Sequence, residues 1–224
     1  MKKQLLELCT CRATHLGNHL GSPLGRTKLG DCWEIIPVRY CLNPEYMYQT
    51  IDILSAIRDC KFKDLSRDDI HPNYIETIKY TENMKVDAYL IEISSIKYID
   101  KETPSGWGKY THKQFLDNIS KIRNICQQKK IIWVSAVNVP FTERHMNVFD
   151  AKESMFIGNK MKTRQIIDDW VSELSEPVIY PSKILSGKFA EDVFMKDKDL
   201  THYKPEIEKL VRQEIEKQLI DLLS

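Results

Sequence analysis

Two short segments at opposite ends of the chain carry side chains that suit nucleophilic catalysis. Asp199 precedes His202 by three residues, just before an amphipathic stretch that begins at Pro205. A histidine in such a pair can take a proton from a nucleophile while the carboxylate fixes its tautomer. The best candidate for the nucleophile is Cys11, where an apolar run stops and Arg12 follows. The alternative is a surface aspartate that lies near a surface histidine by chance.

Cys11 lies where the first strand-like segment gives way to a turn. Backbone N–H groups at the start of a turn and the neighbouring Arg12 guanidinium both favour the thiolate over the thiol. A histidine close by would strengthen that preference. The other interpretation of Cys11 is a small buried side chain in the core, which is the most common fate of a free cysteine.

The order of segments along the chain predicts an α/β fold, because apolar runs alternate with stretches of helical periodicity. The predicted strands are Leu5–Thr10, Trp33–Val38, Asp87–Ile93, Ile131–Val137 and Val178–Tyr180. The predicted helices start at Asn43, near Tyr74, at Thr111, at Asp150 and at Pro205. Residues 12–31 are expected to form a long loop, and residues 103–110 a loop or flap. Five strands separated by helices favour a parallel sheet covered on both faces, in a single domain over residues 1–224.

This arrangement would bring the two candidate segments together. The first strand of such a sheet is usually central, so its carboxyl end falls at residues 9–12. The fifth strand leads into the loop that carries Asp199 and His202. Open α/β sheets place their sites at the carboxyl ends of their strands, so both segments are expected at one edge of the sheet.

The composition excludes several classes of protein. The formal net charge of the 224 residues is +1, so no broad basic field predicts nucleic-acid binding. No apolar run is long enough to span a bilayer, and the first residues become charged too quickly for a signal peptide. Six cysteines in a chain of this length do not make the framework of a small disulfide-rich domain. We therefore expect reduced thiols and a cytoplasmic location.

The first strand with Thr10-Cys11-Arg12, together with the late Asp199-x-x-His202, resembles the SGNH/GDSL hydrolase superfamily. The closer likeness is to its cysteine-containing branch, the GSCFA-type proteins and capsular-polysaccharide acetyltransferases. The resemblance implies a three-layer α/β/α fold with a roughly five-stranded parallel sheet, of SGNH or flavodoxin-like type. It also implies acyl or ester transfer on a carbohydrate, with Cys11 as nucleophile, His202 as base and Asp199 as the carboxylate that orients the base.

The chain departs from the pattern of that superfamily at three places. Thr10 stands where a glycine usually precedes the nucleophile, and no clear counterpart of the second-block glycine follows Val38. Residues 92–95 read Glu-Ile-Ser-Ser where the superfamily has Gly-x-Asn-Asp. These departures leave the donors of the oxyanion hole to be found.

We expect the backbone N–H of Cys11 or Arg12, with Ser94 or Ser95, to donate to the developing oxyanion. The alternative for both serines is a hydroxyl that caps the end of a strand. Asn138, at the end of the fourth strand, is a further candidate for substrate contact.

A thiol nucleophile implies a two-step reaction through a thioester, with water or a sugar hydroxyl as the acceptor. The acyl group is expected to be acetyl, with acetyl-CoA as a possible donor substrate and no tightly bound cofactor. Trp107 lies between two glycines and suits stacking against a sugar, or else packing of a flap on the domain. The resemblance implies a glycan as the partner and a role in polysaccharide biosynthesis.

Two alternative interpretations of the chain are a zinc-binding protein and a binding module without catalytic activity. Cys9 and Cys11 alternate to one face of a strand, and with His15 and His19 they could complete a tetrahedral zinc site. The chain could also be a glycan-binding module that keeps the fold without the chemistry, because fold alone does not imply function.

Overall fold

A computed structural model of the chain describes residues 2–9, 27–39, 51, 54–55, 85–99, 102, 104, 107–195 and 202–224. Within these residues the strands are β1 (Lys3–Cys9), β2 (Thr27–Leu29), β3 (Trp33–Arg39), β4 (Ala88–Glu92), β5 (Lys97–Ile99), β6 (Trp107–Lys109), β7 (Lys130–Val134) and β8 (Val178–Ile179). The helices are α1 (His112–Ile125), α2 (Glu143–Met146), α3 (Ala151–Ser172), α4 (Pro181–Ile184), α5 (Ala190–Val193) and α6 (Pro205–Leu223).

The main sheet has the order β2-β3-β1-β4-β7-β8. Its strands β3, β1, β4, β7 and β8 are mutually parallel, and they correspond to the five strands predicted from the sequence. Numbered by their order along the chain, the five parallel strands lie across the sheet in the order 2-1-3-4-5, which is the order of flavodoxin-like folds. The predicted α/β fold with a five-stranded parallel sheet is therefore confirmed.

Two buried clusters, one on each face of the sheet, give the fold its three layers. Along β1 the side chains alternate, so that Leu5 and Cys9 belong to one cluster while Leu6 and Leu8 belong to the other. The first cluster is covered by α6, whose inward residues are Ile207, Val211, Ile215, Leu219 and Leu223. The second is covered by α1 and the second half of α3. This burial on both faces explains why the strands read as apolar runs.

The predicted helix starts at Thr111 and Asp150 are confirmed by reciprocal capping. The Thr111 side chain accepts from the backbone N–H of Gln114, whose own side chain accepts from the N–H of Thr111. Asp150 and Glu153 form the same capping box at the start of α3. Each box satisfies two backbone donors that a helix start otherwise leaves without a partner. Of the helix expected from Asn43, residues 51 and 54–55 are described, and all three are helical.

Two extended elements differ from the sequence predictions. Within the expected loop 12–31, β2 pairs antiparallel with β3 through a turn at Gly30, whose φ is 57°. Glycine adopts this left-handed conformation at little cost, so a tight turn forms there. The expected flap includes β6, which pairs antiparallel with β5 and so forms a two-stranded ribbon. Among the helices that the structure describes, none combines the length and apolarity needed to cross a membrane.

Candidate functional site at the carboxyl ends of the strands

The point where the strand order reverses lies between β1 and β4. Their register pairs Leu8 with Ile91, so the two strands end side by side, at Cys9 and Glu92. In open α/β sheets, ligands bind in the crevice outside the carboxyl ends at such a reversal. The sheet thus offers a site directly after the strand that precedes Cys11.

Cys9 is buried at this edge, and its thiol donates to the carbonyl oxygen of Leu90 at 3.8 Å. Burial raises the pKa of the Cys9 thiol well above its usual range, and the neighbouring Glu7 and Glu92 carboxylates raise it further. Both effects disfavour a thiolate, because one removes water and the other adds like charge. Cys9 is therefore a packing residue and a hydrogen-bond donor, which leaves Cys11 as the nucleophile candidate of this run.

Of the predicted catalytic residues, the structure describes His202. Cys11, Arg12 and Asp199 lie outside the described residues, so their predicted roles stay predictions. The same holds for His15 and His19 of the zinc alternative. Within the residues that are described, no cluster of three or more His, Cys, Asp or Glu side chains could hold a metal ion.

His202 is exposed, and its backbone is tied to the carboxyl-end side of β7. The His202 carbonyl accepts from the N–H of Met195 at 2.9 Å. The segment that contains Met195 is itself anchored, since the N–H of Ala190 donates to the carbonyl of Pro140 at 2.7 Å. Pro140 lies six residues beyond the end of β7. These bonds connect the backbone of His202 to the segment that follows β7, and its predicted role as the base stays a prediction.

The neighbours of both candidate residues share one buried cluster. Tyr203 pairs with Phe194 in an isolated antiparallel bridge, and the centroids of their rings lie 5.8 Å apart. Both rings belong to the cluster that also contains Cys9. The residue after His202 and the residue two before Cys11 are thus packed into the same core.

Ser94 and Ser95 lie just after β4 and line a cleft at its carboxyl end. The hydroxyl of Ser95 accepts from the N–H of Lys97 at 3.1 Å, and Ser95 is buried. This contact matches the alternative given above for Ser95, a hydroxyl that caps the end of a strand. Ser94 is half-buried, and its place on the cleft wall suits contact with a ligand.

Asn138 follows β7 and faces α3. Its backbone N–H donates to the hydroxyl of Ser182 at 2.9 Å, and its side-chain amide donates to Gln165 at 3.1 Å. These contacts tie the end of β7 to two helices. Asn138 is not among the residues that line the cleft beside Ser94, and its predicted substrate contact stays a prediction.

The cleft at the end of β4 has a volume of about 500 Å³. Its walls come from the turn after β4, the β5–β6 ribbon and the middle of α3. Its cationic lining residues are Lys97, Lys109, Lys160 and Arg164, and no acidic side chain of the described residues lines it. We refer to it as the basic cleft.

Sequence reasoning missed these four cations. Arg164 is 3% exposed and lies on the inward stripe of α3 with Ile157, Ile167 and Val171. The sequence held one signal for Arg164, a cation at an apolar position of an amphipathic helix. Arginine is rarely buried unless it is paired, so such a position can indicate a functional role. The lysines gave no signal, since only the β5–β6 pairing and the packing of α3 bring them together.

Neither a protein-family model nor a curated protein matches the sequence of the chain. Solved structures of similar fold include a crystal structure with a TM-score of 0.50 and 11% identity, in an alignment that covers 100% of this chain and 99% of that one. The salicylyl-acyltransferase SsfX3 from a tetracycline biosynthetic pathway aligns with a TM-score of 0.48 and 11% identity, over 99% of this chain and 55% of its own. A carbohydrate esterase family 3 from Talaromyces cellulolyticus aligns with a TM-score of 0.45 and 11% identity, over 98% of this chain and 97% of its own. At this level of identity the first of these likenesses concerns the fold alone.

Proposed function

We propose that the protein catalyses acyl transfer or ester hydrolysis on a carbohydrate, with Cys11 as nucleophile, His202 as base and Asp199 as the orienting carboxylate. The observation that carries the proposal is that Cys9 and Tyr203 belong to the same buried cluster on one face of the sheet. The covalent chain limits the distance between Cys9 and Cys11 to about 7 Å. His202 is adjacent to Tyr203, so the fold supports an encounter of thiol and imidazole.

In the first step, the Cys11 sulfur attacks the carbonyl carbon of an acyl ester or thioester, and its proton passes to His202. The bond from the carbonyl carbon to the leaving oxygen or sulfur breaks, and the imidazolium returns the proton to the leaving group. The product of this step is a thioester on Cys11. Ser94, from the wall of the basic cleft, and the backbone N–H of Cys11 or Arg12 are the proposed donors to the oxyanion.

In the second step, His202 removes a proton from water or from a sugar hydroxyl, whose oxygen attacks the thioester carbon. The carbon–sulfur bond breaks and the Cys11 thiol is regenerated. Water gives hydrolysis, whereas a sugar hydroxyl gives transfer. The acyl group that we propose is acetyl, with acetyl-CoA as donor in the transfer reaction.

The intact mass of the protein tests the covalent step after brief exposure to p-nitrophenyl acetate or acetyl-CoA. We expect a single acetyl adduct on the wild type, its loss in Cys11→Ala, and its slower formation in His202→Ala. Cys32→Ala is the matched control, because Cys32 is an exposed cysteine remote from β4 in sequence and its loss should leave the adduct unchanged.

An adduct that persists in Cys11→Ala, or the absence of both adduct and turnover with either donor, would contradict the mechanism. The second result would favour a glycan-binding module. The donor that acylates the wild type distinguishes the two reactions, since a transferase should use acetyl-CoA and an esterase the simple ester.

A further inference from the structure

We infer that the basic cleft binds a phosphate-bearing group of the substrate. This inference rests on the proposed function and deepens it, because it names a chemical class for the substrate. It depends on the side chains of the cleft and not on the chemistry of Cys11.

The charge of the cleft is the first observation. Four cationic side chains, Lys97, Lys109, Lys160 and Arg164, line a volume of about 500 Å³. The chain as a whole has a net charge of only +1, so this concentration of positive charge is local. Clefts lined by charges of one sign concentrate ligands of the opposite sign.

The pairing of Lys97 with Lys109 is the second observation. These residues are direct partners in the register of the antiparallel β5–β6 ribbon. Like charges directly opposite each other destabilise an antiparallel pair. An anion bound between the two lysines would relieve this repulsion.

Arg164 is the third observation. It is the charged side chain of the lining that is almost fully buried, at 3% exposure, while its position on α3 sets it at the wall of the cleft. Guanidinium groups bind phosphate oxygens in a bidentate manner, and their burial excludes competing water. Lysines around a buried arginine suit a group that carries more than one negative charge.

The polar neutral residues of the wall fit the same ligand. Ser94 and Asn159 can donate to phosphate or sugar oxygens, and Phe156, which is 61% exposed, offers an apolar surface at the rim. Two sources share this chemistry. One is the nucleotide portion of an acyl-CoA donor, and the other is a phosphorylated carbohydrate acceptor.

Calorimetric titration of full-length Cys11→Ala with inorganic pyrophosphate tests the inference, since this variant binds without turnover. We expect saturable binding that weakens as the salt concentration rises, because phosphate contacts are screened. Adding Lys97→Glu or Lys160→Glu should raise Kd by about tenfold or more, since a charged hydrogen bond is lost and a repulsion is gained. Lys162→Glu, an exposed lysine on the same helix outside the cleft, should leave Kd within about twofold.

Thermal unfolding without ligand shows whether each variant is folded, and stabilisation by pyrophosphate gives a second readout of binding. Competition against pyrophosphate then separates the sources. Coenzyme A that competes while pantetheine does not would assign the cleft to the donor, and glucose 1-phosphate that competes would assign it to the acceptor.

Unchanged pyrophosphate affinity in both Lys97→Glu and Lys160→Glu, or no saturable binding at low salt, would overturn the inference. Failure of both organic phosphates to compete would overturn the substrate class. Loss of acylation with intact pyrophosphate binding would instead count against the proposed catalysis alone.

Discussion

Phe194 and Tyr203 stack with their rings at an interplanar angle of 12°, and the hydrogen bonds that flank their bridge run from Met195 to His202 and from Lys204 to Val193. These bonds join the two ends of the eight-residue segment 195–202, whose last residue is His202. The backbone of the proposed base thus rests on an aromatic pair in the core. Its side chain remains exposed.

Tyr203 is expected to act as a positioning residue for His202. Tyr203→Leu removes the stacked ring while keeping an apolar side chain, so we expect kcat to fall about tenfold with KM within about twofold, because misplacement of a catalytic group slows chemistry more than binding. The stability cost should be about 1–2 kcal/mol. Steady-state kinetics with p-nitrophenyl acetate measure the change.

The control for Tyr203 is Phe115→Leu, because Phe115 is a fully buried ring that packs against Trp170 on the other face of the sheet. It should lose similar stability and keep its kcat. Equal losses of kcat in the two variants would show that general destabilisation, and not placement of His202, is responsible.

The cysteines are expected to differ in reactivity toward iodoacetamide. The buried Cys9 and Cys126 should resist alkylation in the native protein, since burial raises the pKa of Cys9 well above its usual range and that of Cys126 to about 12. The exposed Cys32 should react and serves as the internal reference. Peptide mass spectrometry after short labelling between pH 5 and 9 measures each site.

In the same experiment, Cys11 should be labelled at lower pH than Cys32, and His202→Ala should move its profile toward higher pH, because the imidazolium no longer stabilises the thiolate. Cys9→Ala should retain acylation. Protection of Cys11 equal to that of Cys9 would count against the nucleophile assignment.

Glu176 is expected to stabilise the fold in a pH-dependent way. Arg123 holds the carboxylate through contacts of 2.5 and 2.7 Å, and this hydrogen bonding lowers the pKa of Glu176 below its ordinary 4.5. The folded pKa lies below the unfolded one, so the stabilisation is complete above about pH 4.5 and is lost as the pH falls through the folded value. Glu176→Gln should therefore cost about 1 kcal/mol at neutral pH and progressively less in acid.

Urea unfolding from pH 3 to pH 7 measures this difference. Glu208→Gln is the matched control, because the pair of Glu208 with Arg212 lies within one helix at 3.3 Å and should contribute only about 0.3–0.5 kcal/mol. A pH-independent cost for Glu176→Gln would show that shape and not charge matters at this position.

The contribution of Asp168 to stability should depend on pH in the direction opposite to that of Glu176. Burial raises the pKa of this carboxyl, and the hydrogen bond from the Ser135 hydroxyl offsets part of the rise. A raised folded pKa means that the contribution to stability is complete below the unfolded value of 3.8 and is lost as the pH rises through the folded value. Asp168→Asn should thus be as stable as the wild type at pH 7, or more so, and should lose that advantage near pH 4.

Thermal unfolding of the wild type and Asp168→Asn between pH 4 and pH 8 tests this expectation. Ser135→Ala provides the contrast, because it removes the donor and should destabilise the protein at pH 7. If Asp168→Asn were strongly destabilised at every pH, the carboxylate would be a structural acceptor whose ionisation does not matter.

The sequence predicted the parallel sheet because its strands are buried on both faces and therefore read as continuous apolar runs. The helix start at Asp150 was equally predictable from its spacing to Glu153, and that at Thr111 from the residue type, since threonine caps helices. The strands β2, β5 and β6 could not be predicted, because three residues are too few to show the alternation of a β-strand. Arg164 was the one lining residue of the basic cleft that the sequence pattern could have indicated, whereas the convergence of the three lysines depends on strand pairing and on the packing of α3.

The last described helix, α6, contributes Ile207, Val211, Ile215, Leu219 and Leu223 to the cluster on one face of the sheet, and its residues are translated after all five parallel strands. During synthesis the apolar side chains on that face are therefore exposed until α6 has been made, and Leu5, Leu90 and Ile132 are among them. Exposed apolar surface of this kind favours aggregation. Docking of α6 is thus the step that completes this cluster, so folding of the sheet depends on a helix that follows it in the chain.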